Sequence, residues 1–157
     1  MAGNLTLDQD FKEFIESLNA LDVRYLVVGG YALAVHGRPR YTKDLDIWFD
    51  QQPDNAEKLV RAIERFGFQS LGLKAGDFLV PNQVIQLGNA PIRIDLLTSV
   101  SGIVFDQCFP GRVVVMIDEL PVNVIDLENL KKNKRASGRL QDLADVEALE
   151  SSSTDSQ

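Results

Sequence analysis

The chain has 157 residues, 45% of them hydrophobic and 25% charged, a balance that suits one soluble domain with a single core. One cysteine, Cys108, and one histidine, His36, exclude a disulfide framework, a cysteine zinc site and a His-rich metal site within it. A net charge of −7 argues against wide contact with nucleic-acid phosphate, so no extensive DNA binding is expected.

The opening residues, MAGNLTLDQDFKEF, carry no basic segment followed by an apolar run, so no signal peptide is expected. No apolar stretch approaches ~18 residues, which excludes a membrane-spanning helix and leaves a reducing cytoplasm as the default setting. The stretch "LDQDFKEFIESLNAL" places Phe11, Phe14, Ile15 and Leu18 on a helical stripe, with Asp8 able to cap it. "RYLVVGG" reads as a strand buried on both faces, and "GYALAVHG" as a short helix closed by Gly37 and the "RPR" turn. "YTKDLDIWF" is the next strand. Pro53 and Asp54 open a helix with Leu59, Ile63 and Phe66 inward and Gly67 at its end. Gly72, Gly76 and Pro81 mark a loop. "QVIQL" and "PIRIDLLT" form a hairpin around "GNA", followed by a short helix in "SGIVFDQCF" and two strands, "GRVVVMI" and "LPVNVI". Asp126 caps "LENLKKNKRA", Gly138 interrupts, and "RLQDLADVEALE" is the last helix. The order predicts an α/β (α+β) fold, a small mixed β-sheet flanked by helices, as one domain over residues 1–150 with a disordered polar tail over 151–157.

Two stretches carry chemistry. Along "YTKDLDIWF", side chains alternate, so Leu45, Ile47 and Phe49 face the core while Arg40, Thr42, Asp44 and Asp46 share the other face. Asp44 and Asp46 then lie roughly 6–7 Å apart along the backbone. Carboxylates this close repel unless a cation or proton sits between them, and oxygen ligands of this kind suit Mg²⁺ or Mn²⁺. Alone, an Asp-x-Asp pair fits an exposed edge strand as well. In "PIRIDLL" a third acid, Asp95, stands inside an apolar strand, where an unpaired charge is costly. If both strands share a sheet, three carboxylates can face one cavity and hold two divalent ions for an in-line displacement. Gly29 and Gly30, where a strand hands over to a helix, would let a phosphate approach the backbone, though a tight turn needs glycine too. Neither a dinucleotide fingerprint nor a P-loop is present.

Together, "GGYALAVHGRPRYTKDLDIWF" and the later "IRIDLL" resemble the nucleotidyltransferase superfamily of the polymerase β type. The Arg-x-Thr-x-Asp-x-Asp form, Arg40 to Asp46, and the ending "NKRASGRLQDLADVEAL" are similar to a small bacterial branch that includes AbiEii-type toxins and minimal nucleotidyltransferases. In that branch a lysine often stands where this chain has Gln141, leaving Lys134 as the phosphate contact. The resemblance implies that Asp44, Asp46 and Asp95 hold the metals, and that Asp95 also helps deprotonate an acceptor hydroxyl. Gly29 and Gly30 would cradle the triphosphate, Arg40 and Thr42 would contact phosphate, and Lys134 would neutralise leaving pyrophosphate. It implies an enzyme that moves a nucleoside monophosphate from an NTP to RNA, a protein side chain or a small molecule, with a cognate toxin or antitoxin as a further partner.

Other residues have plainer readings. Asp142 and Asp145 at i and i+3 suit pairing with Lys or Arg between helices. His36 suits a structural histidine and Trp48 a packing role, although a tryptophan there could also stack on a base. The basic run from Lys131 to Arg139 suits a solvated helix face. The competing functional class is a non-catalytic partner protein that binds a nucleotide or a toxin. A glycosyltransferase with Asp-x-Asp and Mn²⁺ is usually longer and has no use for the glycine turn. A haloacid-dehalogenase-like phosphatase would want Thr or Val where Trp48 stands.

Overall fold

The computed structural model describes residues 8–37, 44–67, 72–88 and 93–155. Helix α1 (Gln9–Ala20) begins at Asp8, whose carboxylate accepts the Asp10 amide and satisfies one of the free donors of the first turn. It buries Phe11, Phe14, Ile15 and Leu18, the predicted stripe. Strand β1 (Tyr25–Val28) is buried throughout and runs directly into α2 (Gly29–Val35). Strand β2 (Asp44–Phe49) is followed by α3 (Pro53–Phe66), where proline is tolerated because its missing N–H would have no helical partner. Gly67 ends α3 in the left-handed region, at φ 116°, as a helix stop requires.

A short 3₁₀ turn at Ala75–Phe78 interrupts the expected loop, and β3 (Val84–Leu87) and β4 (Arg93–Leu97) follow. Then come α4 (Phe105–Cys108), β5 (Val113–Ile117) and β6 (Leu120–Val124). Asp118 and Glu119, both at positive φ, make the two-residue turn of the β5–β6 hairpin. Helix α5 (Leu127–Ser137) is capped by Asp126, and α6 (Leu140–Asp155) ends the described chain. The backbone of α6 stays helical through 151–155, part of the segment expected to be a disordered tail. Extending an existing helix costs far less than starting one, so a Ser-rich end can follow its lead.

Among the described residues, six strands form one mixed sheet in the order β3-β4-β2-β1-β6-β5. β1 pairs antiparallel with β2 and parallel with β6, while β2 pairs parallel with β4. This pairing decides where the chemistry sits. One sheet face carries Tyr25, Val27, Leu45, Ile47 and Phe49. Tyr25 Oη donates to Asn19 of α1 (2.9 Å), and the Phe49 ring meets Phe78 edge-on, so that face is the main core. Each large apolar side chain buried there contributes about 1.5–3 kcal/mol. The opposite face carries Asp44, Asp46 and Trp48, with Arg93, Asp95 and Leu97 beside them. Trp48 is buried against Phe105 of α4, edge to face at 5.2 Å, which is the packing role expected of it. No helix among the described residues is long and apolar enough to cross a membrane.

Candidate active site

The parallel pairing of β2 with β4 sets Asp46 directly opposite Asp95 and Asp44 opposite Arg93. Paired residues in a ladder share a face, so Asp44, Asp46 and Asp95 lie on one side of the sheet. The convergence the sequence suggested is therefore present. It depends on a pairing between strands about 50 residues apart, with β3 placed outside them.

Gly29 closes one wall. It sits at φ 69°, a conformation that side chains rarely adopt, and a Cβ built there would collide with Asp46 Oδ2. The glycine is thus needed both for its backbone angle and for the close approach of a carboxylate. Val28, opposite Asp46 in the β1–β2 ladder, leads into α2, and no side chain caps the start of that helix. Gly30 follows in its first turn. At the far end of α2, His36 Nε2 hydrogen-bonds to the Ile125 carbonyl (2.8 Å), tying the helix to the chain after β6. That is a structural duty.

The electrostatics of the cluster are unbalanced. Asp95 is only 8% exposed, and its Oδ1 is buried with no hydrogen-bond partner. Burial first, and then the negative charges of Asp95 and Asp44, push the Asp46 carboxyl up to about 7, while Arg93 pulls the other way. The sequence alone assigns Arg93 no role. Its Nη2 reaches Asp44 Oδ2 at 2.7 Å and Asp95 Oδ2 at 3.1 Å, bridging the two strands. A basic residue two positions before an acid on one strand face was the available signal, but only the pairing shows that it spans two strands. Among the described residues, no group of three His, Cys, Asp or Glu is arranged to hold a metal ion. The donor set still fits a divalent cation. It is all carboxylate oxygen, one of those oxygens is buried and unsatisfied, and a second acid is pushed toward its neutral form by burial and by the two acids beside it.

The remaining predicted site residues fall elsewhere. Arg40 and Thr42 lie outside the described residues. Lys134 is buried between α5 and α6, where its Nζ donates to Asp142 (3.0 Å) and Asp145 (3.2 Å). A phosphate contact by Lys134 would require both bonds to break. Asp142 also accepts from Ser137 and Arg139, and Arg135 pairs with Glu150. Two residues of the basic run, Lys134 and Arg135, are thus spent on joining two helices. Beyond Trp48, at the carboxyl ends of β2 and β4, a cavity of about 280 Å³ is lined by Gln51, Thr98, Ser99, Phe105 and Asp106 among others.

The mixed sheet, the glycine turn leading from β1 and the acids of β2 and β4 sit in a nucleotidyltransferase-like fold. Solved structures agree on the fold. A proposed nucleotidyltransferase from Thermotoga maritima superposes with a TM-score of 0.54 at 16% identity, covering 92% of this chain and 91% of its own. An antigenic nucleotidyltransferase-like protein from Paracoccidioides brasiliensis gives 0.53 at 14% identity, covering 92% and 78%. A search of curated proteins finds no match. The chain belongs to the aminoglycoside-2''-adenylyltransferase family, whose model matches residues 10–99, more than half of its length. The matched segment holds Gly29, Asp44, Asp46 and Asp95, and stops before α5 and α6. The superfamily is the one the motifs resemble.

Proposed function

We propose that this chain transfers a nucleoside monophosphate from an NTP to a hydroxyl acceptor and releases pyrophosphate, with Mg²⁺ or Mn²⁺ held by Asp44, Asp46 and Asp95. The observation that carries this reading is the register that puts Asp46 opposite Asp95, one buried and half-satisfied, beside a glycine that cannot bear a side chain. Divalent ions bound there would neutralise charge on the phosphates and acidify the attacking hydroxyl. Asp95 Oδ1, which no protein donor occupies, is the base that takes the hydroxyl proton. The hydroxyl oxygen then bonds to the α-phosphorus as the bond from that phosphorus to the bridging oxygen breaks, and the electrons leave with pyrophosphate. Gly29 and Gly30 give the triphosphate room to approach the backbone, and Arg40 and Thr42 supply further phosphate contacts. Positioning and charge neutralisation are most of what such chemistry needs.

The family's name favours a small-molecule hydroxyl as acceptor. A cytoplasmic setting, where NTPs are abundant, is part of the proposal. The test is label transfer from each of four α-phosphate-labelled NTPs, offered with aminoglycosides, total RNA and cell protein in turn. We expect Mg²⁺-dependent label in a small molecule, reduced by at least about 10²-fold in Asp95→Asn. Label in RNA or protein would move the chain toward a toxin-like role. Nucleotide-dependent thermal stabilisation with no label in any acceptor would overturn the enzymatic reading in favour of a nucleotide-binding partner protein.

A further inference from the structure

We propose that Arg93 is a resident counter-ion of the acid cluster and passes from the carboxylates to the phosphates when substrate enters; this rests on the metal-nucleotide reading above. The guanidinium holds acids from two strands through a single nitrogen, Nη2, at 2.7 and 3.1 Å. A cation in contact with Asp44 and Asp95 at once occupies the ground a divalent ion would need, so the two compete. Arg93 Nε is buried without a hydrogen-bond partner, so the present pose uses the guanidinium incompletely. Its side chain is 38% exposed, which leaves it a path outward. Once divalent charge neutralises the acids, the planar fork is free to bind phosphate oxygens in pairs, the geometry for which arginine is better suited than lysine. Arg93 is in these terms a positioning residue while the site is empty and a substrate-binding one when it is filled.

The test is Mn²⁺ binding to the metal-free chain, followed by binding of Mn²⁺-tripolyphosphate, a probe with the phosphates and no base. Arg93→Gln should bind Mn²⁺ alone roughly tenfold more tightly than wild type and Mn²⁺-tripolyphosphate roughly tenfold more weakly, with Arg93→Lys between them. Its metal-free melting temperature should fall and be restored by Mn²⁺, a readout independent of turnover. Unchanged or weaker Mn²⁺ binding by Arg93→Gln, with wild type still binding the probe, overturns the role of Arg93 alone. Absence of Mn²⁺ binding in both proteins overturns the metal reading and this inference with it.

Discussion

Asp46→Asn is expected to make the metal-free protein more stable above neutral pH while abolishing its use of divalent ions. In the fold this carboxyl holds its proton up to about pH 7, whereas in the unfolded chain it releases it near 3.8. Between those values the native state binds the extra proton. Stability contributed by this group is therefore complete at low pH, falls as pH rises from about 4 to about 7, and stays lost above that. Part of the side chain reaches solvent, so the expected loss is about 2–4 kcal/mol. Asparagine keeps the shape without the charge. In EDTA, urea unfolding of wild type should weaken from pH 5 to pH 8, and that of Asp46→Asn should weaken much less. Label transfer and Mn²⁺ binding should collapse in the variant. Equal pH slopes for the two proteins would show that Asp46 is not under strain. A site that costs stability when empty and recovers it when loaded is what a binding centre built from like charges must be.

The same cluster shows how far sequence goes. Period-two alternation was enough to put Asp44 and Asp46 on one face and Leu45, Ile47 and Phe49 on the other, because a strand leaves no third choice. The apolar setting of Asp95 marked it as a charge with a purpose. Which strand lay beside it was not legible, since β4 reaches β2 in parallel and past its hairpin partner β3, a long-range pairing that no local pattern encodes. Arg93 was invisible for that reason: its meaning lies in bridging Asp44 and Asp95 across the ladder. The helix caps at Asp8, Asp126 and Gly67 were readable because capping is local chemistry. The role of Lys134 was not. The resemblance assigns Lys134 to phosphate, and the i, i+3 spacing of Asp142 and Asp145 names no particular lysine; only the packing of α6 against α5 brings the three together.

Lys134→Met should be strongly destabilising although it lies outside the sheet. Methionine has a similar length, so little volume is lost, but Asp142 and Asp145 stay buried between α5 and α6 without the ammonium that faces them both. Removing one partner of a buried ion pair costs about 3–5 kcal/mol, well above the worth of an exposed pair. Asp142 retains Ser137 and Arg139, and Asp145 retains Gln141, which argues for the lower part of that range. The acid limb offers a second check. Burial raises the Asp142 carboxyl, but hydrogen bonds from Ser137, Arg139 and Lys134 outweigh it and hold it at about 2. Its stabilisation is present above about pH 4 and is lost as pH falls through about 2, so the variant's deficit should shrink across that window. Nucleotide affinity of the folded fraction should be unaffected, since the lysine is committed to the helix pair. A variant that unfolds like wild type yet binds Mn²⁺-nucleotide tenfold more weakly would return Lys134 to the phosphates and make its two acids spectators.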